Sequence, residues 1–482
     1  MKRYVLLSFL ALVVPGAVGA AEQELPELGD SSSAVVSPET EREIGHQLAR
    51  QVRAQVKTIK DPLLKYYTEV QLYRLAEYSE LKRTELTPVL IDSPEVNAFA
   101  APGGVVGMNL GLYTSSEDVS EYSAVLAHEL AHLSQRHFAR GVEMQQKQML
   151  PYLAAMLASI VIGATVGGDA GIAAISGTQA AMQAGQLRYS RGREQEADRL
   201  GIDTLERAGF DPTAMARMFE RMQRAYRYTR RPPEFLLTHP VTENRIADAR
   251  NQAAQLPPSD PKTYALPEQE FELMRARAIV HFAASPEAAV QTFRDRIDRD
   301  GRSEAAIYGL AIALANAGKA DEAIESSAPL FAKHRESLIY VATEAELLIG
   351  AKRSREAISL LQEQLAKYPD NQPLSMLLAD AMEQEQRYHE AQVVLTKQSV
   401  LHPSDHDVWY ELAETAGLAG DIIAVHQARA EYFALVGALE NAVQHLEYAR
   451  SLADPSDTRL IAEIDQRIRD FREEMSEMRQ QS

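Results

Sequence analysis

The residues best suited to chemistry gather at HELAH, residues 128–132, inside the stretch AVLAHELAHLSQRHFAR. Residues four apart on a helix share a face, so His128 and His132 direct their imidazoles at one ion, with Glu129 beside it. Zinc takes neutral imidazole nitrogen readily, and two such ligands plus a carboxylate leave a fourth position for water. Glu129 then stands where a general base would accept that water's proton. His137 follows His128 at a spacing about half a turn out of phase, so a continuous helix turns it away, as a structural or solvated histidine. The chain contains no cysteine, which excludes thiolate ligands, disulfides and cysteine nucleophiles and leaves His, Asp and Glu to hold a metal.

A third ligand must come from elsewhere. RYSRGREQEADRLGIDTLERAG, residues 188–209, places Glu194 and Asp198 on one helical face. One of these acids can bind the ion while the other hydrogen-bonds a ligand imidazole and fixes its tautomer. Taken alone, the same stretch also reads as a surface helix of charge pairs.

The elements that must carry these residues are mainly helical. Ser37 and Pro38 mark a helix start, a second amphipathic stretch follows from Asp61, and helical periodicity returns over 120–255. Between them lies the one convincing strand region, LTPVLIDSPEVNAFAAPGGVVGMNLGLYTSS. Its segment GGVVGMNLG precedes the metal helix and is expected to offer backbone groups to an extended substrate. Gly104, Val105, Val106 and Met108 would be its wall residues, although they also suit an ordinary β core. The Pro-rich residues 256–269 read as a linker. Beyond it, Ala289, Ala323, Ala357 and Ala391 recur at intervals of 34, as do Pro369 and Pro403. That is the tetratricopeptide period, and it predicts an α-solenoid over 270–482 that works by recognising protein.

The fold expected is therefore an α+β zincin-like metallopeptidase domain with a small sheet (38–255), followed by the α-solenoid. At the N-terminus, basic Lys2 and Arg3, an apolar run and the small residues Val18 and Ala20 read as a secretory signal peptide (1–20), with a flexible leader at 21–37. The uncharged segment 148–168 has three readings: a mobile lid or hairpin over the cleft, a peripheral membrane contact, or a span made doubtful by Pro151, Gly163, Gly167 and Gly168. A net charge of −18, lowered further if Lys2 and Arg3 are removed, argues against nucleic acid and anionic lipid as general partners.

VNAFAAPGGVVGMNLGLY, HELAH, REQEADRLG and THPVTENRI occur in that order. Together, over 38–255, they resemble the CAAX prenyl protease and heat-shock HtpX-type zinc metallopeptidase family. The resemblance implies one zinc ion per chain, with Glu194 rather than Glu196 as third ligand and Asp198 supporting the ligands. It also implies that His239 and Arg245 lie near the metal among the catalytic residues. His239 would either stabilise the oxyanion or occupy the open position and hold the enzyme inactive. Signal peptide, soluble peptidase domain and repeat tail resemble the periplasmic members of this family. That likeness implies a metalloendopeptidase that degrades unfolded or misassembled outer-membrane proteins. It also implies contact with the barrel-assembly machinery through the repeats and assistance in β-barrel assembly. Two other readings remain at this point: a chaperone or scaffold with a latent metal site, and a metal-dependent amidase acting on the cell wall.

Overall fold

A computed structural model describes residues 36–82, 85–145, 191–227, 234–257 and 261–481. The expected signal peptide, nearly all of the leader and the apolar segment 148–168 lie outside them. Among the described residues no helix is long and apolar enough to cross a membrane.

Helix α1 (Pro38–Gln55) starts where Ser37 accepts a hydrogen bond from the Thr40 amide, and α2 (Pro62–Tyr78) where Asp61 accepts from Leu63 and Leu64. Each has Pro in its first turn, where no amide proton is needed. Strands β1 (Thr87–Ile91), β2 (Ala98–Ala101) and β3 (Val105–Asn109) form one sheet in the order β1-β3-β2. β1 runs parallel to β3 and β2 antiparallel to it. A short turn at Pro102–Gly104, with Gly103 and Gly104 both at positive φ, joins β2 to β3. Gly103 packs against α1 so closely that a Cβ would fall 2.8 Å from the Glu41 carbonyl oxygen, which excludes any larger residue there.

This topology corrects one expectation. β3, which carries Val105, Val106 and Met108, is the central strand, buried and paired on both sides, so it has no edge left for a substrate. β1 and β2 are the edge strands, and β2 is the one that packs against the metal-centre side of the domain through its cavity-lining residues Ala100 and Ala101. Because the Asn109 amide bonds the Asn97 carbonyl, alternation turns the main-chain groups of Ala98 and Ala100 away from β3.

After the short α3 (Gly111–Ser115) comes α4 (Val119–Ser134), capped by Asp118, which accepts from the Glu121 amide at 2.8 Å. Every residue from Val119 to His132 is buried. A helix apolar on all sides belongs in a core, so the ionisable groups it carries there need a chemical explanation. It stops after Ser134: Arg136 takes φ +47°, held by the Glu41 carboxylate and the Val36 carbonyl, and α5 (His137–Gln145) sets off in a new direction. The domain continues with α6 (Arg191–Arg207), α7 (Ala214–Arg227), α8 (Glu234–Thr238) and α9 (Glu243–Ala253).

The expected linker 256–269 is helical from Pro261 onward, where α10 (Pro261–His281) begins. A proline in the first turn does not break a helix, and Phe271, Met274 and Ala278 supply the buried stripe that holds it. Phe271 stacks on Tyr113 in the peptidase core, and Arg277 bridges Asp61 to Glu346 of the solenoid. In the solenoid, Ala289, Ala323, Ala357 and Ala391 sit near the starts of helices Pro286–Asp300, Ala320–Lys333, Ser354–Lys367 and Tyr388–Leu401, all 0% exposed. Small residues at these positions let paired helices approach, as the period requires. The solenoid returns to the peptidase domain where Lys65 meets Asp405 and Asp407.

Candidate metal centre

α4 and α6 cross at small residues. Ala127, Ala131 and Ala197 are buried between them, and a Cβ on Gly201 would lie 3.2 Å from the His128 amide nitrogen. This close approach brings the side chains of α6 onto the histidines of α4. His128, His132, Glu194 and His239 are all buried, and each offers one donor atom within 4.8 Å of the others. Nε2 of His132 lies 3.0 Å from Nε2 of His128, which is 3.3 Å from Nδ1 of His239; that nitrogen is 3.2 Å from both Glu194 oxygens. Donors about 2.0–2.1 Å from a tetrahedral ion stand roughly 3.3 Å apart, close to the 3.0–3.6 Å separations of His128, His132 and Glu194, so these residues suit such an ion.

Supporting groups fix the donors. Asp198 Oδ1 lies 2.9 Å from Nδ1 of His128, the arrangement that leaves Nε2 available as a ligand. Arg245 forks onto Asp198 at 2.6 and 2.7 Å, reaches Glu194 at 2.9 Å, and donates to the Pro240 carbonyl beside His239. Arg245 was expected among the catalytic residues. It is buried and pairs with both acids, Asp198 and Glu194. His239 follows α8, where Phe235 stacks on its ring at 4.7 Å and accepts its amide at 2.7 Å.

The electrostatics are those of charges held together out of water. Burial disfavours a charged His128 ring, but Asp198 and Glu194 outweigh it and raise its pKa to about 9. Burial and the neighbouring His128 push His132 well down. Burial also opposes charge on Glu194, yet His239 and His128 hold its carboxyl well below the usual range. Glu129 differs from them all. It is 1% exposed, neither carboxylate oxygen has a hydrogen-bond partner among the described residues, and Nε2 of His239 is 3.6 Å from Oε1. A buried carboxylate without a donor is costly unless a water or substrate fills that place.

His137 overturns the phase argument. The turn at Arg136 breaks the assumed continuous helix, so His137 swings back, fully buried, with Nδ1 2.7 Å from Nδ1 of His132 and Nε2 3.1 Å from Glu196. Sequence reasoning turned His137 away and set Glu196 aside as a ligand, and it missed Phe235. Only the recurrence of histidine so soon after HELAH hinted at the role of His137. A cavity of about 290 Å³ lies beside the centre, lined by Ala100 and Ala101 of β2, His132 and Leu133 of α4, and Leu81 and Phe138.

Comparison with known proteins places this geometry. Residues 62–253 match peptidase family M48, and 348–416 match a tetratricopeptide repeat. The chain is 34% identical over 476 residues to the beta-barrel assembly-enhancing protease of Yersinia pestis, covering 96% of each chain. The chain belongs to this protease family. It is 33% identical to the Escherichia coli K12 beta-barrel assembly-enhancing protease over 97% of this chain and 96% of that one. Human mitochondrial metalloendopeptidase OMA1 is 30% identical over 161 residues, 33% of this chain and 30% of that one. The chain is thus a metalloendopeptidase with a repeat domain attached.

Proposed function

We propose that this chain is a periplasmic zinc endopeptidase that degrades unfolded or stalled outer-membrane proteins and supports β-barrel assembly. The observation that carries the reading is the buried carboxylate of Glu129, which accepts no hydrogen bond among the described residues, beside the four-donor cluster. Imidazole and carboxylate donors suit zinc, and His128, His132 and Glu194 would hold it. Bound there, zinc would supply Lewis acidity toward the scissile carbonyl and the attacking water. Glu129 takes that water's proton and later delivers it to the leaving amine nitrogen. The outer edge of β2 at Ala100, which lines the cavity beside the centre, bonds an extended substrate as an added strand, which favours unfolded or edge-exposed segments over compact ones. The solenoid engages the barrel-assembly machinery, in keeping with the names of the relatives and with the usual work of repeat domains.

Glu129→Gln tests the reading. It should keep bound zinc and lower cleavage of an unfolded outer-membrane protein by about 10²–10⁴-fold. Cleavage at the wild-type rate would refute the assignment of Glu129.

A second reading, latency, is favoured by one contact: Nδ1 of His239 lies among the donors, 3.3 Å from Nε2 of His128. In this reading His239 closes the fourth position until a partner or substrate draws it away, and the repeats alone act in assembly meanwhile. His239→Ala then raises cleavage; a fall instead assigns His239 to oxyanion stabilisation.

A further inference from the structure

We infer that His137 and Glu196 form a relay that fixes the tautomer and aim of His132 and thereby sets how tightly the centre holds its ion. The inference rests on the reading of His128, His132 and Glu194 as ligands. Nε2 of His132 faces Nε2 of His128 at 3.0 Å and Glu194 at 3.5 Å, so as a ligand His132 turns the lone pair of Nε2 into the donor set. A neutral imidazole carries one ring proton, which therefore sits on Nδ1. That Nδ1–H donates to Nδ1 of His137, 2.7 Å away. With Nδ1 accepting, the proton of His137 lies on Nε2, which donates to Glu196 Oε2 at 3.1 Å.

The reverse assignment fails twice. If Nδ1 of His137 donated, the proton of His132 would sit on Nε2 and point into the donor set, where it blocks a metal. Nε2 of His137 would then turn a lone pair onto the Glu196 carboxylate. A single proton arrangement thus satisfies both histidines and the acid.

The relay is anchored at both ends. Arg140 donates to the same Glu196 oxygen at 3.1 Å, and Arg193 donates to the His137 carbonyl at 3.2 Å. The turn at Arg136, pinned by Glu41 and the Val36 carbonyl, is what lets His137 face back toward α4. The two imidazole ligands are therefore steered differently: His128 by Asp198 directly, and His132 by an acid acting through a second imidazole. Partners of this kind are worth about 10–100-fold in metal affinity.

The test is the zinc dissociation constant of the full-length protein, measured by competition with a chromophoric chelator. His137→Leu should weaken zinc by about 10–100-fold. His137→Asn, whose amide oxygen can still accept from His132, should recover most of that loss. Glu196→Ala should weaken zinc in the wild-type background and have no effect in the His137→Leu background, a coupling that a purely structural role would not produce. Helical content and the unfolding midpoint of the metal-free proteins compare the folds. If His137→Leu does not fold, Glu196→Ala against Glu196→Gln decides, because the amide of Gln still accepts from His137 and should hold zinc better than Ala does. Wild-type affinity in folded His137→Leu, or equal effects of Glu196→Ala in both backgrounds, overturns the relay. If wild-type protein binds no zinc, or His132→Ala binds it as tightly as wild type, the ligand assignment falls first and the relay with it. Loss in His132→Ala with none in His137→Leu sinks the relay alone.

Discussion

Around α4, His128, Glu129, Glu194, Asp198, His239 and Arg245 are all buried and close upon one another. Along the outer surface of the solenoid, away from its contacts with the peptidase domain, charged pairs stand in solvent, as with Arg355 and Glu385, where the arginine is 88% exposed. In the first region each group depends on a neighbour that cannot turn to water. In the second, water replaces a lost partner, and the structure depends instead on small residues such as Ala357 where helices meet. Equal-looking ion pairs should therefore differ sharply in consequence.

Arg245→Leu should give the largest loss of stability. It leaves Asp198 and Glu194 buried without their cation, at a cost of about 3–5 kcal/mol, read from denaturant unfolding of the metal-free protein. A loss below about 1 kcal/mol, the range of an exposed pair, would erase the contrast between the regions. Next, Ala357→Leu forces bulk into a site with no exposure and should cost about 1–3 kcal/mol. Zinc binding should stay unchanged, and a coupled loss of metal would show that the two regions do not keep separate accounts.

An intermediate case lies where the regions touch. Burial opposes charge on Asp405, but Lys65 outweighs it and brings its pKa to about 2. A carboxylate whose folded pKa lies below its unfolded value of about 3.9 stabilises the fold above that value, and the benefit disappears as pH falls through about 2. The benefit is at most about 2.6 kcal/mol by that difference. Lys65→Met should flatten this acid-dependent part of the unfolding curve, and an unaltered curve would remove Lys65 from the interface account. Smallest of all, Arg355→Ala should leave the unfolding midpoint where it was; a clear drop would mean that the exposed pair is worth more than its solvation allows.

The same contrast governs what could be read in the sequence. The solenoid was legible because its constraint repeats: small residues recur every 34 positions, and one helix predicts the next. The donor set was legible because helical spacing puts His128 and His132 on one face and Glu194 and Asp198 on another. The failures came where a local backbone event reset the geometry. Left-handed Arg136 lies within a stretch lacking Gly or Pro, so nothing warned that the helix ends before His137. Strand order likewise does not follow from strand pattern: buried β3 and edge β2 are both short and apolar, and only pairing shows which one has an open side.

Among the described residues two clusters compete as places for an ion: the buried set at His128, His132, Glu194 and His239, and the half-buried set at Asp405, His406 and Asp407, where Lys65 already supplies the cation. Anomalous diffraction at the zinc absorption edge, from crystals of the protein loaded with one equivalent of zinc, separates them directly. The account predicts a single peak bounded by Nε2 of His128, Nε2 of His132 and the carboxylate of Glu194. A peak at Asp405–Asp407 alone, or no peak between the two histidines of α4, would contradict it.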